Sequence, residues 1–260
     1  MATVKVILAG PRGQMGMAAR RMIAATEAFE TIAYLDRKSA EESGLQEGIP
    51  VYTDATECFS VHQADVLIDL TTPETAKEHL KLAIEHSIRP VIGTTGFTDD
   101  EIDQLRNLTE DKQLGAMIVP NFALGAVLMM KFSQIAAKFY SDVEIIERHH
   151  DNKLDAPSGT ALKTATLISD VRNEKVQGHP NETETLPGAR GGDVAGMRIH
   201  SVRLPGSVAH QEVIFGGHGE TLTIRHDSMN RDSFMPGVKL AVETVMKSST
   251  LIYGLENIID

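Results

Sequence analysis

Short apolar runs alternate with amphipathic stretches through the first half of the chain. The apolar runs cover residues 3–9, 31–35, 64–70, 90–92 and 116–119. Runs of this length and composition are typical of strands buried in a parallel sheet. Helical spacing of apolar positions follows at residues 17–24, 71–80 and 99–108. The pattern therefore predicts repeated strand–helix units around a parallel sheet.

The pattern changes after residue 123. Residues 124–139 have the spacing of a long helix, whereas residues 197–204, 210–215 and 221–225 resemble antiparallel strands. Residues 234–246 indicate a helix, and residues 251–259 form an apolar tail that we expect to pack onto the first domain. We therefore predict one domain from residues 1–122 and 234–260, and a second from residues 123–233. The open face of the second sheet would suit an oligomer contact.

The composition and net charge of the chain indicate which classes of binding partner are unfavourable. The 260 residues are 42% hydrophobic and 23% charged, and the formal net charge is −11. Such a charge argues against binding to nucleic acid or to an anionic membrane. Cys58 is the single cysteine, which rules out an intrachain disulfide, and we expect it to be an inert, half-buried thiol. With no apparent leader or apolar span, we expect a cytoplasmic protein.

A glycine-rich turn joins the first predicted strand to the first helix. The turn reads Gly10-Pro11-Arg12-Gly13-Gln14-Met15-Gly16. Glycines in this setting let a pyrophosphate approach the backbone amides of a helix start. Asp36 ends the next strand, where a carboxylate would bind ribose hydroxyls, and Arg37 follows, where it could attract a 2′-phosphate. The turn predicts a nicotinamide dinucleotide cofactor and leaves both NADH and NADPH open.

Three further turns follow the carboxyl ends of predicted strands. Ligands bind outside these ends in open α/β sheets, so the turns are candidates to line the nicotinamide side. The candidate residues are Thr71, Gly93, Thr94, Thr95, Val119, Pro120, Asn121 and Phe122. The predicted fold class is α/β: a Rossmann-type doubly wound parallel sheet that binds the dinucleotide, plus a second α+β domain with a mainly antiparallel sheet.

Side chains that can transfer protons or bind anions are most concentrated in residues 144–161. We expect a strand ending at Glu147, then a polar connection that carries His149, His150 and Lys153. Pro157-Ser158-Gly159-Thr160 predicts a helix start, whose amides suit a carboxylate. Histidine moves protons near neutral pH, and lysine can hold a carboxylate or donate a proton. The stretch predicts a site for proton transfer on an anionic substrate. His200, His210, His218 and His226 match no known ligand spacing, so no metal is predicted.

This stretch resembles the signature of the dihydrodipicolinate reductase (4-hydroxy-tetrahydrodipicolinate reductase) family. The resemblance continues in the glycine turn, the segment from Asp69, residues 93–96 and the run from Asn121. It implies a Rossmann domain and a substrate-binding and oligomerisation domain, assembled as a homotetramer through its sheet. It also implies NADH- or NADPH-dependent reduction of a cyclic dicarboxylate in lysine biosynthesis by way of diaminopimelate. Water leaves, hydride adds to C4 of the conjugated imine, and the enamine is then protonated.

The resemblance also implies roles by position. His149 matches the proton donor and acceptor, and Lys153 matches the lysine that donates a proton and holds substrate. The substrate-carboxylate contacts implied are His150, Gly159 and Thr160. The cofactor contacts implied are Gly10–Met15, Asp36, Gly93–Thr95 and Val119–Phe122.

One position departs from the family. Many members have arginine where this chain has Gln14, and that arginine is associated with the 2′-phosphate of NADPH. Arg12 and Arg37 are possible substitutes, while Asp36 favours NADH. We predict use of both cofactors, with a preference for NADH or near parity. Two alternatives stay open: another NAD(P)-dependent imine or amino-acid dehydrogenase, or a dinucleotide-binding regulator without catalysis.

Overall fold

The computed structural model describes residues 3–45, 48–173 and 175–259. The chain divides into two compact units, one formed by Met1–Phe122 with Phe234–Asp260 and the other by Ala123–Ser233. Residues 1, 2, 46, 47, 174 and 260, which the predicted domains include, lie outside the described residues. In chain order, the described residues form β1 Val4–Ala9, α1 Gln14–Ala24, β2 Phe29–Leu35, α2 Ala40–Ser43, β3 Val51–Tyr52, α3 Ala55–Val61, β4 Val66–Asp69, α4 Pro73–Glu85, β5 Arg89–Ile92, α5 Asp99–Asp111, β6 Ala116–Ile118, α6 Leu124–Ala136, β7 Asp142–His149, α7 Gly159–Ser169, β8 Gly192–Val194, β9 Met197–Arg203, β10 Ala209–Gly217, β11 Glu220–Ser228, α8 Met235–Val245 and β12 Leu251–Tyr253.

The first unit is built on a parallel sheet. Within the described residues its strands follow the order β12-β6-β5-β4-β1-β2-β3, and each pairs in parallel with its neighbours. The central strand β1 ends in four fully buried apolar residues, and β4 consists of three buried apolar residues followed by the buried Asp69. Burial on both faces explains why these strands have continuous apolar runs rather than alternating ones. The predicted doubly wound parallel sheet is confirmed.

Two short strands complete the edges of this sheet. We predicted residues 251–259 only as an apolar tail, but Leu251–Tyr253 forms β12 and pairs with β6. Val51–Tyr52 forms β3, a strand that we did not predict, and it pairs with β2. A strand of two or three residues is too short for a hydrophobic period to be recognised.

The second unit contains a mixed sheet. Its order within the described residues is β11-β10-β7-β9-β8, and three of the four pairings are antiparallel. The exception is the parallel pair of β7 with β9. The prediction of a mainly antiparallel sheet therefore holds, with one parallel pairing added.

The strand β7 is longer than we predicted. It runs on to His149, which we had assigned to the polar connection, because His149 still pairs with Ala209 of β10 and Arg203 of β9. Burial alternates along β7, so Ile145, Glu147 and His149 share the face that packs on α7. His149 is therefore held by the sheet rather than by a loop.

The structure also defines the environment of Cys58 and the character of the helices. Cys58 is fully buried rather than half-buried, and burial raises the pKa of its thiol to about 12. Among the described residues, no helix has the length and apolar character needed to cross a membrane.

Candidate active site

The turn between β1 and α1 is so closely packed that it requires glycine. Gly10 has a φ of 78°, and a methyl group on Gly16 would collide with the backbone of Gly10 and Pro11. Gly13 caps α1 without a side-chain hydrogen bond, and the first helical turn contains no acidic residue. Bare backbone at the positive end of a helix suits a pyrophosphate. The six predicted contact residues Gly10, Pro11, Arg12, Gly13, Gln14 and Met15 all lie in this turn or in the first turn of α1.

Asp36 lies at the end of β2 and is bound by Arg12. The Nε and Nη2 atoms of Arg12 donate to the two carboxylate oxygens at 2.8 and 2.5 Å, and the Lys38 amide donates at 3.0 Å. Burial alone would raise the pKa of Asp36, whose side chain is 3% exposed, but these hydrogen bonds outweigh it and lower the pKa. The carboxylate of Asp36, which we predicted to bind the ribose, is thus ionised, and Arg12 partly neutralises its charge. Arg37 is exposed beside it.

Thr71 is held in place by a buried carboxylate. The amide and hydroxyl of Thr71 donate to one oxygen of Asp69 at 2.8 and 2.5 Å, and Nδ1 of His79 lies 2.6 Å from the other oxygen. Asp69 is fully buried at the end of β4. This network fixes the turn that carries the predicted contact residue Thr71, and the sequence analysis had missed it.

The ends of β4, β5 and β6 meet around Gly93. A methyl group on Gly93 would come within 2.8 Å of the Phe122 ring and 2.7 Å of the Leu70 side chain, so only glycine fits this position without a shift. Phe122 is buried, and Val119 is fully buried. Any ligand contact of Val119 would therefore involve its backbone. Thr94, Thr95, Pro120 and Asn121 are at least partly exposed in the same two turns.

The second group of predicted residues centres on Glu147 of β7. Its side chain is fully buried, and one oxygen lies 2.6 Å from Nδ1 of His149. Arg203 donates from Nη1 and Nη2 to the two oxygens at 2.9 and 2.8 Å. Burial alone would raise the pKa of Glu147, but hydrogen bonds from His149 and Arg203 outweigh it and lower the pKa to about 2. Glu147 is thus a fully ionised carboxylate beneath the imidazole.

The loop after β7 carries the predicted lysine. The Nζ atom of Lys153 donates to both oxygens of Asp155 at 2.7 and 2.9 Å, and the Lys153 amide donates to the His150 carbonyl at 3.2 Å. Asp155 is exposed at 62% of its side chain, and the hydrogen bond from Lys153 lowers its pKa. Because that pair is open to water, the ammonium can exchange it for another carboxylate at low cost.

The helix α7 begins at Gly159, as the sequence predicted. Ser158 accepts a hydrogen bond from the Ala161 amide at 3.2 Å, and its own amide donates to Glu147 at 3.2 Å. Apart from its chain neighbours and the backbone of α7, no atom of the described residues lies within 4 Å of a methyl group placed on Gly159, so the space beside this residue is open. The start of α7 therefore offers room and positive potential to a carboxylate.

These contacts join residues that the sequence analysis had treated separately. Glu147 connects His149 to the first residues of α7, next to Gly159 and Thr160. We did not predict the contribution of Glu147 or of Arg203 from the sequence. An i, i+2 spacing in a strand would have placed Glu147 on the face of His149, but nothing local pointed to Arg203.

Comparison with known proteins agrees with the sequence resemblance. The model of the N-terminus of dihydrodipicolinate reductase matches residues 4–122, and that of the C-terminus matches residues 125–259. A 4-hydroxy-tetrahydrodipicolinate reductase from Shouchella clausii is 60% identical, covering 98% of this chain and 99% of that protein. Another, from Bacillus licheniformis, is 61% identical, covering 99% and 98%. The solved structure of a dipicolinate-bound dihydrodipicolinate reductase from Paenisporosarcina sp. TG-14 superposes with a TM-score of 0.93 at 50% identity, covering 99% of this chain and all of that one.

Proposed function

This chain belongs to the dihydrodipicolinate reductase family, and we propose on that premise that it reduces 4-hydroxy-tetrahydrodipicolinate to tetrahydrodipicolinate with loss of water. The reaction is a step of lysine biosynthesis through diaminopimelate, for which we propose a cytoplasmic location. The observation that carries the proposal is the junction of β7 and α7. There one buried carboxylate, Glu147, holds both the imidazole of His149 and the open start of a helix.

The residues of this junction suit a cyclic dicarboxylate. One carboxylate of the substrate would meet the start of α7 at Gly159 and Thr160, with His150 nearby in sequence. Lys153 would release Asp155 and bind the other carboxylate. His149 would move the proton through Nε2, because its Nδ1 faces Glu147. The dipicolinate bound by the relative from Paenisporosarcina is itself a planar ring with two carboxylates.

The cofactor is a nicotinamide dinucleotide, which supplies the hydride when bound. The glycine turn fits it, since a bare backbone leads into the start of α1, and a methyl group on Gly16 would collide with Gly10 and distort that turn. We propose that the chain uses NADH and NADPH, with a preference for NADH or near parity. Asp36 would bind ribose hydroxyls, and Arg12 is close enough to neutralise a 2′-phosphate if it leaves the carboxylate.

The cofactor proposal is tested by kinetics with each dinucleotide. Arg12→Gln should reduce kcat/KM for NADPH by about tenfold more than for NADH, which corresponds to about 1.4 kcal/mol of lost charge interaction. Gln14→Ala, in the same turn, is the matched control and should change the ratio little. A large advantage of NADPH over NADH in the wild-type protein would contradict the proposal.

The reaction is tested by following dinucleotide oxidation with and without the dicarboxylate substrate. His149→Gln should lower kcat by about a hundredfold or more, because it removes the proton-transfer group. Lys153→Ala should lower kcat and raise the KM for substrate, because it removes a cation opposite a carboxylate. The matched controls are His200→Gln and Lys175→Ala, which also lose a His–Glu or Lys–Asp pair of the second unit.

The same assay separates the two alternatives. A different imine or amino-acid dehydrogenase would oxidise dinucleotide with another substrate and not with this one. A dinucleotide-binding regulator would bind the cofactor without oxidising it. Normal rates in both His149→Gln and Lys153→Ala would assign the chemistry to other residues.

We also propose a homotetramer formed through the open face of the second sheet. Ile146, Val202 and Ile214 lie on that face, opposite the side that packs on α7, and remain partly exposed. Partly exposed β-branched side chains on a sheet face suit a self-association surface. Ile146→Asp should shift the sedimentation coefficient towards smaller species, whereas a wild-type monomer would contradict the proposal.

A further inference from the structure

Glu147 accepts hydrogen bonds from three residues that lie far apart in the sequence or on different elements. Its two oxygens accept from His149, from both Nη atoms of Arg203 and from the Ser158 amide. Arg203 also donates to the carbonyl of Asp155 at 2.7 Å, in the loop that carries Lys153. One buried ion pair is therefore hydrogen-bonded to a strand end, a loop and a helix start.

A carboxylate that only accepts hydrogen bonds dictates which imidazole nitrogen carries the proton. Since Glu147 is ionised and lies 2.6 Å from Nδ1 of His149, the bond between them requires a proton on Nδ1. In the neutral ring Nε2 is then the unprotonated nitrogen, and in the charged ring it is the donor. The contact thus leaves Nε2 as the atom that takes up and releases a proton.

The other oxygen of Glu147 holds the start of α7, where we propose that a substrate carboxylate binds. It accepts from the Ser158 amide directly before Gly159, so α7 cannot shift along its axis without breaking the bond to Glu147. Arg203 balances the charge of the carboxylate, which would otherwise be costly to bury at this depth. The imidazole and the helix start are consequently fixed with respect to the same two oxygens.

We propose that Glu147 is a positioning residue for the reduction, and that Arg203 holds it in place. Glu147 fixes the tautomer of His149 and holds the imidazole ring at a constant position relative to the start of α7. The role rests on the proposed function of His149. It does not require Glu147 to touch the substrate.

The sequence offers a matched control on the same strand. Glu144 of β7 also accepts from an arginine and a histidine, Arg190 at 2.6 Å and His200 at 2.8 Å, but on the open face. Glu147→Gln and Glu144→Gln therefore remove the same charge from the same kind of network. Only the first network includes His149 and Ser158.

The first measurement is steady-state kinetics on the full-length protein with saturating dinucleotide. We expect Glu147→Gln to lower kcat by about a hundredfold, the lower part of the range for a positioned proton-transfer group. Its dissociation constant for dinucleotide should be unchanged, and Glu144→Gln should keep the wild-type kcat. Wild-type kcat in folded Glu147→Gln, or equal losses in both variants, would overturn the proposal.

The second measurement needs no active variant. In protein with 15N-labelled histidine, the ring nitrogen shifts of His149, assigned through His149→Gln, should show the Nδ1–H tautomer in the neutral wild-type ring. An amide at position 147 can donate to Nδ1, so Glu147→Gln should convert the ring to the Nε2–H tautomer. A neutral wild-type ring in the Nε2–H form would overturn the proposal, even if Glu147→Gln failed to fold. Lack of substrate-dependent oxidation in the wild type would instead refute the proposed function, because the tautomer is read without turnover.

Discussion

The buried carboxylate of Glu147 should make the protein lose stability in acid by an amount that can be worked out. Its pKa falls from 4.5 to about 2 in the folded protein, where its side chain is fully buried. A shift of this size is worth about 3 kcal/mol in the free energy of unfolding. Because the folded-state pKa is the lower one, this stability is present above about pH 4.5 and is lost as the pH falls towards 2. Between pH 6 and pH 3 the loss should be about 2 kcal/mol.

Glu147→Gln removes the titrating group, so the variant should lack this part of the acid dependence. We expect it to be less stable than the wild type at pH 6, with the difference shrinking by about 2 kcal/mol at pH 3. If removal of the charge prevents folding, the double variant Glu147→Gln/Arg203→Met serves the same comparison, because it leaves no unpaired buried charge. Glu144→Gln is the control, and its difference should shrink less because its side chain is 31% exposed.

The assay is urea unfolding followed by far-ultraviolet circular dichroism, at fixed ionic strength and one protein concentration. Fixed concentration matters because self-association would add to the apparent stability. Parallel stability curves for wild type and Glu147→Gln between pH 6 and pH 3 would refute the reasoning. They would mean that the carboxylate is not held ionised by Arg203 and His149.

Three further predictions follow from single residues. Gly16→Ala should weaken dinucleotide binding and stability together, because the methyl group would collide with the Gly10 carbonyl; calorimetric titration with NADH checks this, and normal affinity would contradict it. Asp155→Asn should lower the KM for the dicarboxylate by up to about fivefold, because a competitor for Lys153 is removed; an increased KM would show that Asp155 assists binding instead. Cys58 should resist a thiol reagent at pH 8 in the folded protein and react after unfolding, because its thiol is buried and has a pKa of about 12.

Much of the fold could be predicted because its signals are local. The strand β1 ends in an uninterrupted apolar run, and the glycines that follow it are required by backbone geometry within the same short turn. Both signals are carried by adjacent residues, so no knowledge of tertiary structure is needed to recognise them. The edge strand β12 is different, since its three residues become a strand only by pairing with β6.

The candidate site also contains some residues that could be predicted from local sequence and others that could not. His149, Lys153 and Gly159 fall within one short stretch, and their residue types suggested the chemistry without a structure. Arg203 lies 56 residues from Glu147, and the two meet only because β9 pairs in parallel with β7. The register between β7 and β9 is set by packing of the whole sheet, so it could not be predicted from a single sequence.

The spacing of the two glutamates on β7 explains why only one of them belongs to the site. Glu144 and Glu147 are three residues apart, which places them on one face of a helix but on opposite faces of a strand. Glu147 therefore turns inward with His149, where water is excluded and a carboxylate can fix a ring nitrogen. Glu144 turns outward, where a similar set of partners is screened by solvent. Two residues of the same type thus acquire different chemistry from the pleat alone, and comparing their two glutamine variants tests that difference directly.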